Sequence, residues 1–423
     1  MESRVRSGWS RWFWTLWLVT LASVPLSLRW PFSGGRTIVA VPLEPLLVVC
    51  VVLLAVLWVL GEAPARRLLR HPVSLMIAAG LVWTVVTAMT SVDPVVSLKY
   101  ALMRTAYVMT FFVGGLVVFS RLGMGTAVTV SAGLAGVLPT VGWTVWHHAP
   151  SWFAHTTSFE VGRPFFPNHL EYGATLVFWM LVMAGLALQR HDRKGGYGGG
   201  WALLIIGLVP VVWAAHSLAA WLSLMAGLGV IALHALGLRV QQLMIIGALV
   251  LVVVFGSFGI YRSSGLGQSW KPSDPSTGER LNRWLCAFEM GRERPLVGFG
   301  PGTYETSYGV FQSWENLTSH SSFQGDRGDA HSEYFSALAE QGVPGLMLVV
   351  ALFGVALWSG LHGAVETKNG DRRWLILGWT AAVTSLAVGS LFNAYFEVDR
   401  IAPLLWLSCA ALAIFSATSP ENR

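Results

Sequence analysis

The chain reads as a succession of long apolar runs broken by short polar segments, with neither the strict alternation of a half-buried strand nor a fixed-period repeat. Runs long enough to cross a bilayer core of about 30 Å are centred on Leu18, Val51, Ala79, Thr110, Ala132, Val177, Leu208, Met225, Leu251, Val350, Ala382 and Trp406, giving about twelve spanning helices. The runs around Leu208 and Met225 meet at His216 and Ser217 with almost no linker, so eleven spans fit the pattern nearly as well. One long polar segment, Tyr261 to about Ala330, separates the Leu251 and Val350 runs. The expected fold is all-α: a polytopic transmembrane helical bundle with one large, partly helical extracytoplasmic loop. Residues 1–260 form an N-terminal membrane domain, 261–336 the loop, and 337–423 the C-terminal spans. Met1 to Leu28 has the basic-then-apolar character of a signal peptide but no small-x-small cleavage site followed by a soluble domain, so it is expected to remain as the first helix.

Composition supports this pattern. Hydrophobic residues make up 54% and charged residues 12% of the chain, a balance that places most of it in lipid. The net charge of +6 is scattered between apolar runs rather than gathered on one face, which argues for helix orientation and against nucleic-acid binding. With the N-terminus inside, the cytoplasmic segments collect Arg4, Arg6 and Arg11, then Arg66, Arg67 and Arg70, then Arg190, Arg193 and Lys194, and finally Lys368, Arg372 and Arg373. Both termini are therefore expected in the cytoplasm and the long polar segment outside. Cys50 and Cys409 lie in apolar runs and Cys286 in a polar one, so neither a disulfide framework nor metal-ligand spacing is evident, and no cofactor is expected.

Chemistry can reside in the long polar segment. Ser276 and Glu279 stand at capping-box spacing, followed by Leu281, Trp284, Leu285 and Phe288 at helical spacing, which predicts a short amphipathic helix ending near Gly291. Its apolar stripe would rest on the membrane domain and leave Arg280 and Arg283 on the flank, to bind an anionic group or to snorkel to lipid phosphates. The alternating glycines of Gly298-Phe299-Gly300-Pro301-Gly302 suit either a phosphate-binding nest or a tight turn. Asp329 to Glu333 is predicted to open a second helix, with His331, Tyr334, Phe335 and Leu338 on one face and Glu333, Ser336 and Glu340 on another; Gly342 stops it. His331 is then aimed at protein, either as a structural residue or as an acid–base group. Glu340 supports the site or a helix end. Arg163 to Asn168 forms a second outer loop, and Lys99 and Arg104 sit at an outer helix start, where Arg104, about one turn inside a span, calls for a partner or a cavity.

The order of these features resembles the O-antigen ligase and polymerase family of bacterial envelope proteins. The likeness is carried by Arg280 and Trp284, Arg294 to Gly302, Ala330-His331-Ser332-Glu333-Tyr334 and Ala339 to Gly345, with weaker likeness at Arg163–Asn168 and Ser97–Arg104. The resemblance implies a metal-independent glycosyltransferase that takes a glycan from an undecaprenyl-diphosphate carrier, among membrane lipids, to a lipid or glycan acceptor. It implies His331 as general base and Arg280 on the diphosphate. Family members commonly carry Ser-Arg at the start of a middle span, where this chain has Ser217-Leu218, so either Arg283, Arg104 or Arg163 supplies the second charge or the chain belongs to a divergent branch with altered chemistry. The chemistry is coherent. A base near neutral pKa activates a hydroxyl, and arginines stabilise the leaving diphosphate. The alternative is a transporter or flippase of a lipid-linked or anionic solute, with Val209-Pro210 and Gly114-Gly115 marking broken helices; no paired halves of similar pattern accompany them.

Overall fold

The computed structural model describes residues 8–32, 37–121, 125–151, 160–192, 199–242, 244–245, 247, 249, 275–319, 321, 328–367, 369–396 and 398–417. The protein is an all-α bundle. Six helices among the described residues are long and apolar enough to cross a membrane: Pro72–Met89, Pro94–Ser120, Thr126–His148, His169–Gln189, Leu218–Ala235 and Glu333–Glu366. Shorter apolar helices at Leu43–Val59, Gly199–Ala214 and Ala402–Phe415, with Gly8–Ser23 and Gly370–Gly389, complete the described bundle. Every predicted span centre falls on one of these helices except Leu251, which lies outside the described residues.

The runs that meet at His216 form two helices. Gly199–Ala214 ends just before His216, which takes a left-handed φ of 45°, and the Ser217 hydroxyl oxygen then accepts from the Ala220 N–H at 3.2 Å to start Leu218–Ala235. Gly370–Gly389 is the central helix, packed against His169–Asp192, Leu218–Ala235, Glu333–Glu366 and Ala402–Phe415. Close approach is possible because Gly378 and Gly185 face each other. A Cβ at Gly185 would lie 2.8 Å from the Gly378 Cα, so any larger residue would force the backbones apart.

Two local features depart from simple spans. The Pro94–Tyr107 helix, started by Asp93 accepting from Val95 N and Val96 N, passes through a π-helical turn at Val108–Val113 into Gly114–Arg121. The Trp17 indole N–H donates to the Thr110 carbonyl within that turn at 2.9 Å. A small antiparallel ribbon, which the sequence reading did not anticipate, pairs Leu28–Phe32 with Thr37–Val41 between the first two helices.

Contacts between helix ends sort into two sets. At one end Arg400 donates to the carbonyls of Phe165 and Ser27, Val92 N to the Phe299 carbonyl, Ser97 Oγ to the Pro301 carbonyl, and Glu333 N to the Ser390 carbonyl. At the other, Arg372 donates to the Phe415 and Ala417 carbonyls. The described part of the long polar segment thus sits on the first end, between the helix pairs that turn there.

Candidate functional site at the polar end of the bundle

Helix Pro275–Glu293 starts one residue before Ser276, and its buried face keeps Leu285 of the expected stripe but extends onto the polar side. Glu279, Asn282, Arg283, Cys286, Ala287 and Met290, at helical spacing, are buried against Phe299, Tyr304, Tyr308, Ala330, Phe335 and Ala339, while Trp284 stacks on Phe335 at 5.4 Å. Arg283 therefore does not stand on an open flank. Its Nε donates to Glu279 Oε1 at 2.9 Å and its Nη1 to the Asp329 carbonyl at 2.8 Å. Burying such a pair is tolerable because the partners sit one turn apart on the same helix and their remaining polar atoms are engaged. Burial raises the Glu279 carboxyl, but hydrogen bonds from Ser321, Arg283 and Thr318 outweigh it and leave the group below its ordinary range. Tyr304 Oη donates to the Arg283 carbonyl at 2.8 Å and fixes the helix from the other side. Burial pushes the Cys286 thiol up to about 12, which removes it as a nucleophile at neutral pH.

His331 lies outside the helix it was expected to open. That helix begins at Glu333, and His331 precedes it in a left-handed conformation with φ 48° and about a third of its side chain exposed. Asp329 shapes this turn. Its Oδ1 accepts from the His331 N–H at 2.8 Å and lies 3.2 Å from His331 Nδ1. Such an Asx turn substitutes side chain for backbone and tolerates the unusual φ. The His331 pKa lies below its ordinary 6.5: partial burial lowers it, Asp329 raises it, and the positive fields of Arg283 and Arg280 lower it further. Asp329, Arg283 and Arg280 are thus brought around His331. Asp329 was missed as a site residue in sequence; its spacing two residues before the histidine was the available signal.

The glycine loop is a structural turn. Its N–H groups are spent within the protein, Gly298 on the Arg294 carbonyl, Phe299 on Ala339, Gly300 on Glu340, and Gly302 on Glu340 Oε2 at 3.0 Å. Buried Glu340 also accepts from Tyr304 N at 2.9 Å. The three glycines take left-handed φ values of 66°, 117° and 75°, and a Cβ at Gly298 or Gly300 would collide with Glu340 or Ser91. No N–H of this set is available to form a phosphate nest.

Arg104 is only 6% exposed and, among the described residues, no carboxylate pairs with it. It stacks over Phe396 at 4.9 Å and approaches Tyr100 Oη at 3.5 Å, while its Nε has no hydrogen-bond partner. The same guanidinium borders a cavity of about 290 Å³ together with Arg29, Lys99, Tyr107, Glu44 and Asp399. Phe396 and Gly302 also border it, and Phe396 N donates to Glu333 two residues after His331. Arg163 stands on a different loop, exposed and paired with Glu160 at 2.9 Å. Asn168 caps the following helix, its Oδ1 accepting from Glu171 N and its Nδ2 donating to Glu171 Oε1.

A family model described as O-antigen ligase matches residues 201–350. Over that stretch the chain is similar to the O-antigen ligase family. No curated protein matches the chain. The matched domain holds Arg280, Arg283, the glycine loop, His331 and Glu340, whereas Lys99, Arg104, Arg163 and Asn168 precede it. It supports O-antigen ligase-like, membrane glycosyltransferase activity on lipid-linked glycans in a multi-pass bacterial membrane protein.

Proposed function

We propose that the chain transfers a glycan from an undecaprenyl-diphosphate carrier to an acceptor hydroxyl at the outer face of the inner membrane, with both termini in the cytoplasm. The observation that carries this reading is the His331–Asp329 pair, bolted by Arg283 to the helix that bears Arg280. With Nδ1 facing the carboxylate, Nε2 is the ring nitrogen left to accept a proton. The acceptor hydroxyl gives its proton to Nε2, its oxygen bonds to the anomeric carbon, and the bond from that carbon to the carrier phosphate breaks from the opposite side. Displacement from the opposite side inverts the anomeric centre. Negative charge then grows on the diphosphate, which Arg280 and the Arg104 and Lys99 side chains at the cavity stabilise, because a buried guanidinium with no ion-pair partner among the described residues favours an anion. Arg283 acts as a positioning residue. Its place in the Glu279–Asp329 link leaves Arg104 as the better substitute for the charge absent at Leu218.

Purified protein given a polyprenyl-diphosphate glycan and separate lipid and glycan acceptors, with products weighed by mass spectrometry, tests the proposal and separates ligase from polymerase. Wild type forms a new glycosidic bond; a folded His331→Ala variant does not. Flux of the lipid-linked glycan across liposomes with no bond formed would overturn it.

A further inference from the structure

A seat for phosphate alone needs cations and N–H donors, yet the 290 Å³ cavity presents two carboxylates, Glu44 and Asp399, beside Arg29, Lys99 and Arg104. Ionised carboxylates only accept hydrogen bonds, so they repel phosphate oxygens and bind hydroxyl groups. Charge pairing accounts for Asp399 but not for Glu44. Glu44 forms no ion pair among the described residues; its Oε1 accepts from the Ala40 N–H at 2.9 Å, and Asp399 and Lys99 both lie within its electrostatic reach. Asp399 is turned by three groups: Tyr107 Oη donates to its Oδ1 at 2.9 Å, Arg400 Nη1 to its Oδ2 at 3.4 Å, and Arg29 Nε stands 4.0 Å from Oδ2. It keeps a side-chain exposure of 20%, enough to meet a ligand in the cavity. Lining the same cavity, Arg104 is more than nine-tenths buried with Nε unpartnered.

An anion-seeking guanidinium and two hydroxyl acceptors in one chamber match a sugar attached directly to phosphate. The volume lies at the lower end of the roughly 300–1,000 Å³ usual for small-ligand sites, enough for a phosphate and about one sugar ring but not for an extended glycan. We propose that Glu44 and Asp399 are specificity-determining residues that accept hydrogen bonds from hydroxyls of the sugar adjoining the carrier phosphate, while Arg104 and Lys99 hold the phosphate. The chain then selects its donor by the first sugar, whatever glycan follows. This inference rests on the proposed function, in that it takes the cavity to be the donor seat.

The test uses the full chain in nanodiscs and short-chain polyprenyl diphosphate as a probe, either bare or carrying one glucosyl, galactosyl or N-acetylglucosaminyl residue. Wild type is expected to bind at least one sugar-bearing probe about tenfold more tightly than the bare diphosphate, the span of a hydrogen bond to a charged group. Glu44→Gln and Asp399→Asn are expected to erase that preference while bare diphosphate binds at least as tightly as to wild type, since a repelling charge is removed; Arg104→Met weakens both probes. Thermal melting checks that Asp399→Asn has not released Arg400, and Glu44→Gln, which breaks no ion pair, carries the test if it has. Sugar preference retained in folded Glu44→Gln and Asp399→Asn proteins, or no preference in wild type with the bare probe still bound, overturns this inference alone. Failure of wild type to bind any of the probes overturns it together with the donor seat of the proposed function.

Discussion

Replacing Asp329 by Asn keeps an oxygen near His331 Nδ1 but removes the negative charge that favours the imidazolium formed when the base takes a proton. At the 3.2 Å separation, the Coulomb attraction is about 5 kcal/mol at an effective dielectric of 20 and about 1.3 kcal/mol in bulk water. The two side chains are 34% and 37% exposed, so screening by solvent places the effect toward the lower figure, about 1–2 kcal/mol. That corresponds to a fall of roughly 5–30-fold in kcat/KM and a further lowering of the histidine pKa. The assay is transfer from the lipid-linked donor as a function of pH, with thermal unfolding as a check on the turn. An Asp329→Asn protein that melts like wild type and transfers at the wild-type rate, with its acid limb unmoved, would refute the pairing as a catalytic arrangement.

In the wild-type protein the acid limb of kcat/KM should fall below pH 6.5, since the folded pKa is depressed and the ring stays neutral until the pH drops through that lower value; a limb at or above 6.5 would contradict it. Arg280→Ala should raise the donor KM about tenfold, the loss of one charge-assisted contact, and unchanged donor saturation would remove its diphosphate role. Glu279→Ala strands the buried Arg283 guanidinium and should cost about 3–5 kcal/mol of stability by denaturant titration, with transfer falling as the 329–331 turn loosens. Gly300→Ala demands a φ of 117° from a residue with a Cβ that would press to within 2.9 Å of the Ser91 Cα, and should cost at least about 1–3 kcal/mol and lower Tm.

The spans were legible because lipid imposes long unbroken apolar runs, and helix ends at Asp93 and Gly342 carried ordinary start and stop residues. The ribbon at Leu28–Val41 was not, because its strands are short and merge into neighbouring apolar runs when hydropathy is averaged over a span; Gly34-Gly35 between two β-prone stretches was the local sign. The histidine was singled out by its motif but placed on the helix instead of in the turn before it. Ser332 could have been read as the residue before the helix, which puts His331 in the turn. Arg283 was misread as flanking because a polar i,i+4 pair looks like a solvent face until the core it enters is known. The cavity around Arg104 joins Arg29, Lys99 and Asp399 from three distant stretches of chain, a convergence that no local pattern encodes.

The break at Gly342, where φ is 71° and Val343 N donates to the Pro295 carbonyl, pins one end of a short helix whose other end meets His331. Each residue of an α-helix turns the chain by about 100°. Adding or deleting a single residue between Glu333 and Gln341 would therefore turn the His331 end of that helix by about 100° against the Gly342 break, although every side chain named above survived. Length here is under tighter constraint than composition, so descendants of this chain are free to vary the identity of lipid-facing positions while the residue count between the imidazole and the break stays fixed.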